Sequence, residues 1–176
     1  MASDQDLPVL RGERVVLRPL TRDDASVLLA ILADPEVARW WGAYDAARLE
    51  RDFYEPGAAY TYIVEAGGVP AGLVQFHEVT DPDYSSAGID ITIRDAYQGQ
   101  GLGTEALRTL IRYLIGERGH HRITIDPATD NARAVHVYEK VGFRPVGIMR
   151  RYERGPDGTF HDGLLMDLLA EEFIDT

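Results

Sequence analysis

Residues 96–111 read AYQGQGLGTEALRTLI, three glycines in alternate positions running straight into an amphipathic helix. No other stretch narrows the possible folds so far. Gly99, Gly101 and Gly103 let the main chain bend and let a ligand approach it closely. The amides that open a helix lack intrahelical partners and lie at the positive end of its dipole. The stretch therefore reads either as a glycine-rich turn with no ligand or as an anion site suited to phosphate or pyrophosphate. Two familiar phosphate motifs are excluded. A P-loop needs Gly-Lys-Ser/Thr, whereas Thr104 and Glu105 follow Gly103. The pattern G-x-G-x-G is not the dinucleotide fingerprint, and no early βαβ unit surrounds it.

The flanks describe the scaffold that carries this loop. GIDITIR (88–94) is a strand with Ile89, Ile91 and Ile93 toward the core, which leaves Asp90 and Thr92 on the other face. The helix after the loop runs from about Thr104 to Glu117, with Leu107, Leu110, Ile111 and Leu114 on one side. A second strand (121–127) and a second helix (130–143, stopped by Gly142) follow. A strand–helix–strand unit of this kind pairs its strands in parallel. Upstream, 13–20 is a first strand and 21–34 a helix with Thr21 as N-cap, Asp23 and Asp24 in its first turn, and Val27, Leu28, Ile31 and Leu32 buried. PEVARWWG (35–42) breaks that helix and presents two tryptophans, and a short charged helix follows near 45–55. Segments 59–66 and 69–79 form a hairpin about a Gly-Gly turn. Segments 144–154 and 161–170 flank GPDGT as a last hairpin. The expectation is one mixed α/β domain over residues 1–176, in the order βααββ, βα, βα, ββ.

Composition excludes several chemistries. Without cysteine there is no disulfide, thiol nucleophile or thiolate metal site. The histidines at 77, 120, 121, 136 and 161 lack metal-ligand spacing. DPDYSSAGIDIT (81–92) fails as a calcium loop, because Ser86 and Thr92 stand where glycine and glutamate are required. No Gly-x-Ser-x-Gly elbow is present, and no metal is expected. A net charge of −11 argues against a nucleic-acid footprint, and such a field attracts cationic small molecules. The start MASDQDLPVL has neither a basic nor an apolar signal region, and no apolar run spans a bilayer. The expected location is cytoplasmic, with no membrane partner.

The pattern Gln98-x-x-Gly101-x-Gly103 resembles the pyrophosphate-binding motif of the GCN5-related N-acetyltransferase (GNAT) superfamily. Three further segments support that resemblance. GIDITIR stands where the family's central strand runs. NARAVHVYEKVGF (131–143) looks like its next helix, with Asn131, Tyr138 and Gly142-Phe143. LRGERVVLRPLTRDDA is similar to its first strand and helix. The resemblance implies the acyl-CoA N-acyltransferase fold, a central mixed twisted sheet flanked by helices, whose two parallel strands splay apart near a bulge. It also implies acetyl-CoA as co-substrate, with pantetheine along the strand edge at Ile91 and Ile93 and pyrophosphate on Gln98, Gly99, Gln100, Gly101, Gly103 and Thr104. An amide near Ile91 would stabilise the oxyanion, and Tyr138 would be the general acid; outside this context Tyr138 is an aromatic plug between helix and sheet. Asn131 contacts pantetheine or caps the helix, and both readings stand.

EVARWWG (36–42), GID (88–90), TIDP (124–127) and VYEKVGF (137–143) together look like the aminoglycoside 6′-N-acetyltransferases. That similarity puts Trp40 or Trp41 at the wall of the antibiotic site, the tandem pair being expected to point opposite ways so that only one lines it. It puts Asp90 and Asp126 against substrate amines, with Asp90 the general-base candidate. A carboxylate in mid-strand costs propensity and asks for a reason, whereas Asp126 is also read as an Asp-Pro turn. The loop HEVTDPDYSSA is shorter than in that group, which leaves Glu78, Asp81 and Asp83 unassigned. The tail RRYERGPDGTFHDGLLMDLL is also similar to acetyltransferases of ribosomal-protein N-termini and small amines. A non-catalytic acyl-CoA-binding regulatory domain is the alternative from another class.

Overall fold

The computed structural model describes residues 7–175. Strands β1 (Leu10–Arg11) and β2 (Val15–Pro19) open the chain and pair antiparallel. The two-residue β1 has no counterpart in the sequence reading, being too short to carry a pattern. The next segment does not enter its helix directly after Thr21. A 3₁₀ turn intervenes because the Asp24 carboxylate accepts from both the amide and the hydroxyl of Thr21, each at 2.8 Å. Arg18 clamps the same carboxylate through both terminal nitrogens and holds it down to about 2, against the opposing effect of burial. Helix α1 (Ala25–Leu32) then begins, followed by α2 (Pro35–Trp41) and α3 (Ala46–Leu49), which runs on into a π turn at Glu50–Tyr54.

β3 (Tyr60–Ala66) and β4 (Val69–Val79) form the expected hairpin, and Gly67 and Gly68 at its tip have φ of 58° and 77°. β5 (Ser86–Ile93) leads through the glycine loop into α4 (Leu102–Gly116), then come β6 (Arg122–Ile125) and α5 (Ala132–Val141). The hairpin of β7 (Arg144–Arg154) and β8 (Phe160–Leu169) completes the order. The eight strands form one mixed sheet in the order β1-β2-β3-β4-β5-β6-β8-β7. Every pair is antiparallel except β5 with β6, the pair joined through α4.

Strand alternation divides the core. Tyr62, Val64, Val74 and Phe76 point to the face covered by α4 and α5, while Ile63 and Leu73 point to the face covered by α1, α2 and α3. Leu107, Leu110, Ile111 and Leu114 of α4 are fully buried, each worth about 1.5–3 kcal/mol of apolar burial. Both faces of the central strands are thus covered. Among the described residues no helix is long and apolar enough to cross a membrane.

Candidate active site

β5 and β6 pair only at Ala87 with Ile123 and Gly88 with Thr124. Beyond Gly88 the two strands part, β6 keeping β8 as its partner while β5 continues to Ile93 against β4 alone. The Ala87 carbonyl faces β6, 3.5 Å from the Thr124 hydroxyl. Backbone groups alternate along a strand, so those of Ile89 and Ile91 face the gap too. Unpaired main-chain groups inside a protein call for a partner, and an extended ligand carrying amides supplies one by strand addition. The bulge expected beside the splay is absent from β5, whose register with β4 is continuous from Ile93 opposite Gly72 to Ser86 opposite Val79. The register shift lies instead between Val64 and Glu65 of β3. The gap opens because the parallel ladder ends.

This gap widens into a cleft of about 1170 Å³ that reaches from the glycine loop to the β7–β8 hairpin. At the loop, Gly99 and Gly101 have φ of 73° and 79°, and Gly101 precedes α4 without any side-chain cap. The first turn's amides are therefore open to a ligand. Gln98 shapes the approach: its side-chain amide donates to the Ile93 carbonyl at 2.7 Å, and its oxygen accepts from Arg133. Glu105, in the same helical turn, would repel an anion were it free. It faces β2 instead, accepting from the amides of Arg14 (2.5 Å) and Val15 (3.1 Å) and from Arg14 Nε (2.9 Å). Burial pushes its carboxyl up, but those bonds prevail and hold it below the usual value. Arg14 also donates to the Gln100 carbonyl at 2.9 Å. Gln98, Gly99, Gly101, Gly103 and Thr104 line the cleft together with Ile91 and Ile93. Gln100 does not; its side chain folds back onto the Ala96 carbonyl at 2.9 Å. The loop's donors and the open edge of β5 fit the pyrophosphate and pantetheine of CoA.

At the other end, Tyr138 on α5 lines the cleft while only 7% exposed, its ring set edge-on to Phe143 with centroids 6.2 Å apart. Burial first, then the charges of Asp90 and Asp126, hold its phenol well above the ordinary value, and no hydrogen bond from the described residues reaches it. Asp90 accepts from the Gln75 side-chain amide at 3.1 Å. Asp126, just past β6, accepts from the Tyr152 hydroxyl at 2.9 Å. Burial pushes the Asp126 carboxyl up, and the charge of Asp90 adds to that. Asn131 caps α5 by accepting from the Ala134 amide at 3.1 Å, and it also borders the cleft.

Trp40 and Trp41 both line the cleft, contrary to the expectation that only one would. Adjacent helical residues are about 100° apart, not opposed as in a strand, so both can border one wall, and Trp41 also packs against the core that holds Leu28 and Val37. Arg48 fixes that wall by donating to the carbonyls of Ala43 (2.8 Å) and Trp41 (3.2 Å) while lying over the Tyr44 ring at 4.0 Å. The cleft residues that escaped sequence reading include Arg133, Gln75, Tyr152 and Glu153. Arg133 could have been read from its place two residues past the helix cap. Tyr152 and Glu153 could not, since a backbone irregularity described below positions them.

The GNAT acetyltransferase domain model matches residues 14–144. Over 167 residues the chain is 31% identical to the aminoglycoside N(6′)-acetyltransferase type 1 of Klebsiella pneumoniae, covering 84% of this chain and 80% of that protein. It is 26% identical over 166 residues to the spermidine N(1)-acetyltransferase of Escherichia coli K12, covering 91% and 88%. Among solved structures, Mycobacterium smegmatis RimJ in complex with CoA-disulfide superposes with a TM-score of 0.78 at 27% identity, covering 94% of this chain and 87% of that one.

Proposed function

The chain belongs to the GNAT acetyltransferases, and from that premise we propose that it transfers the acetyl group of acetyl-CoA to the 6′-amine of an aminoglycoside, by direct attack in a ternary complex. The observation that carries this reading is the pairing of two carboxylates, Asp90 and Asp126, with a buried, unpartnered phenol in one cleft. A multiply charged amine is drawn to such an end of the cleft, and the tryptophan wall offers its sugar rings a flat apolar face.

In this reading Asp90, directly or through water, takes the proton that frees the attacking amine. The C–N bond forms, and an amide on the open edge near Ile91 holds the oxyanion. As the C–S bond breaks, the Tyr138 hydroxyl donates a hydrogen bond to the sulfur. Its burial bears on this step: a phenol held above its ordinary value stays protonated at neutral pH, but it is a weaker acid than a thiol of pKa about 8.5. The sulfur therefore leaves under a hydrogen bond and acquires its proton from water on release. Gln98, Gly99, Gly101, Gly103 and Thr104 hold the pyrophosphate, Asn131 borders the pantetheine, and the reaction runs in the cytoplasm without a metal.

A second reading has its own support. A linear polyamine suits the same carboxylates, and the Escherichia coli spermidine N(1)-acetyltransferase covers more of this chain than the aminoglycoside enzyme does. Release of CoA measured with a thiol reagent separates the readings. The acceptors are an aminoglycoside with a 6′-amine, its analogue with a 6′-hydroxyl, spermidine, and a ribosomal-protein N-terminal peptide. Turnover restricted to the 6′-amine upholds the first reading. Turnover of spermidine or the peptide with no difference between the two antibiotics overturns it.

A further inference from the structure

β7 departs from regular pairing beside the cleft. Met149 lies opposite Gly163 and Glu153 opposite His161, so four steps along β7 match two along β8. Within this bulge Arg151 has φ of 49°, the one non-glycine residue with positive φ among the described residues. That conformation costs an L-residue about 1–2 kcal/mol and persists only where neighbours enforce it. The enforcing group is Asp162, whose carboxylate accepts from the Arg151 amide at 2.7 Å. The Asp162 carbonyl accepts from the Thr129 amide at 3.0 Å, and the Pro127 carbonyl accepts from Leu164 at 2.8 Å. One residue of β8 thus ties down both the turn that follows Asp126 and the bulge that precedes Glu153. The absence of a side chain at Gly163 completes the arrangement, since a Cβ there would stand 3.0 Å from the Tyr152 ring that reaches Asp126.

We propose that Asp162 is a positioning residue for acceptor recognition, holding the β7 bulge so that Glu153 enters the cleft as a third carboxylate and selects acceptors carrying an ammonium group beyond the reacting one. The proposal rests on the acceptor class argued above. The cleft around these carboxylates also holds the unpartnered Tyr138 hydroxyl, which marks where the reacting centre lies. Burial and the charges of Asp126 and Asp90 push the Glu153 carboxyl up against a smaller opposing effect of His161, and Glu153 makes no ion pair among the described residues. Paired regularly from Met149, Tyr152 would stand opposite Phe160 and Glu153 opposite Thr159, two positions further along β8, which would carry the Tyr152 hydroxyl away from Asp126.

The test compares two acceptors with the same reacting amine: a 6′-amino aminoglycoside and methyl 6-amino-6-deoxyglucoside, which has no second ammonium. Glu153→Gln should raise KM for the aminoglycoside roughly tenfold, with kcat and the acetyl-CoA KM within about twofold, and leave the monoamine unaffected. Asp162→Ala should reproduce that loss, Asp162→Asn should rescue it through its amide oxygen, and Arg151→Gly, free of strain, should match the wild type. Equal losses on both acceptors, or none on either, would overturn the role of Glu153; discrimination intact in Asp162→Ala would overturn that of Asp162. A wild-type enzyme that acetylates neither acceptor defeats the acceptor class itself and this proposal with it.

Discussion

Carboxylates at the two ends of the cleft are treated in opposite ways. At the donor end Glu105 is satisfied by two main-chain amides and a guanidinium and sits below its ordinary pKa. At the acceptor end burial pushes Asp126 and Glu153 above theirs, the charge of Asp90 adding to both and that of Asp126 adding to Glu153. The first arrangement stabilises the fold whether or not a ligand is present. The second keeps negative charge unneutralised until a cation arrives. One end of the cleft is built to stand, the other to be completed by its substrate.

The sharpest break of this comparison is Tyr138→Phe. It removes the hydroxyl and leaves the edge-on contact with Phe143, so acetyl-CoA affinity should hold within about twofold while kcat falls roughly 100-fold or more, the scale of losing one preorganised hydrogen-bond donor to charge that develops in the transition state. Single-turnover kinetics with isothermal titration of acetyl-CoA would show the split. A non-catalytic acyl-CoA-binding domain would show no turnover to lose.

The donor end should yield through stability. Glu105→Ala orphans the amides of Arg14 and Val15, at a cost of about 2 kcal/mol, and should lower Tm and raise the acetyl-CoA KM. Its pH dependence has a fixed sign. A carboxyl held below its ordinary value of 4.5 contributes stability above that value and loses it as pH falls through the depressed one. The variant's deficit, measured by urea unfolding, should be full at neutral pH and fade in acid.

That the donor end was legible in the sequence and the acceptor end only partly so follows from how each is assembled. Gln98, Gly99, Gly101, Gly103 and Thr104 lie within seven residues, and their geometry is written in local glycines and a helix start. The acceptor end gathers Trp40 and Trp41 from α2, Asp90 from β5, Asp126 after β6, Tyr138 from α5 and Glu153 from β7. Asp90 and Asp126 could be paired on paper because the strand–helix–strand rule makes their strands neighbours. Glu153 could not, because Arg151 looks like any strand residue until Asp162 is seen to hold it. The splay was expected for the wrong cause: one bulge lies at Ala71 of β4 on its β3 side and others in β7, and β5 has none against β4.

Next in size is Gly101→Ala. At φ of 79° an alanine costs about 1–2 kcal/mol, and its Cβ would meet only the flexible end of Arg14 at 3.1 Å. The acetyl-CoA KM should rise severalfold with kcat unchanged at saturation. Gly57→Ala, with φ of 92° and no atom within 4 Å of the new Cβ, carries similar strain away from the cleft. It should lower Tm alike while leaving KM alone. Equal KM effects in both variants would show that strain, not lost fit to the pyrophosphate, is being read.

The smallest effect expected is a gain. Asp126→Asn keeps an oxygen for the Tyr152 hydroxyl and removes a buried charge beside Asp90. A carboxyl raised above its ordinary value of 3.8 favours folding below that value, and the advantage is lost as pH rises through the raised one. At neutral pH the wild type therefore folds with the charge at its most costly. The variant should be more stable there by about 1 kcal/mol, the usual size of such trade-offs at functional sites. The difference should vanish near pH 4, the reverse of the Glu105→Ala profile. Acceptor kcat/KM should meanwhile fall about tenfold. A variant less stable at pH 7 would mean that Asp126 is held as firmly as Glu105, and the contrast between the two ends of the cleft would be gone.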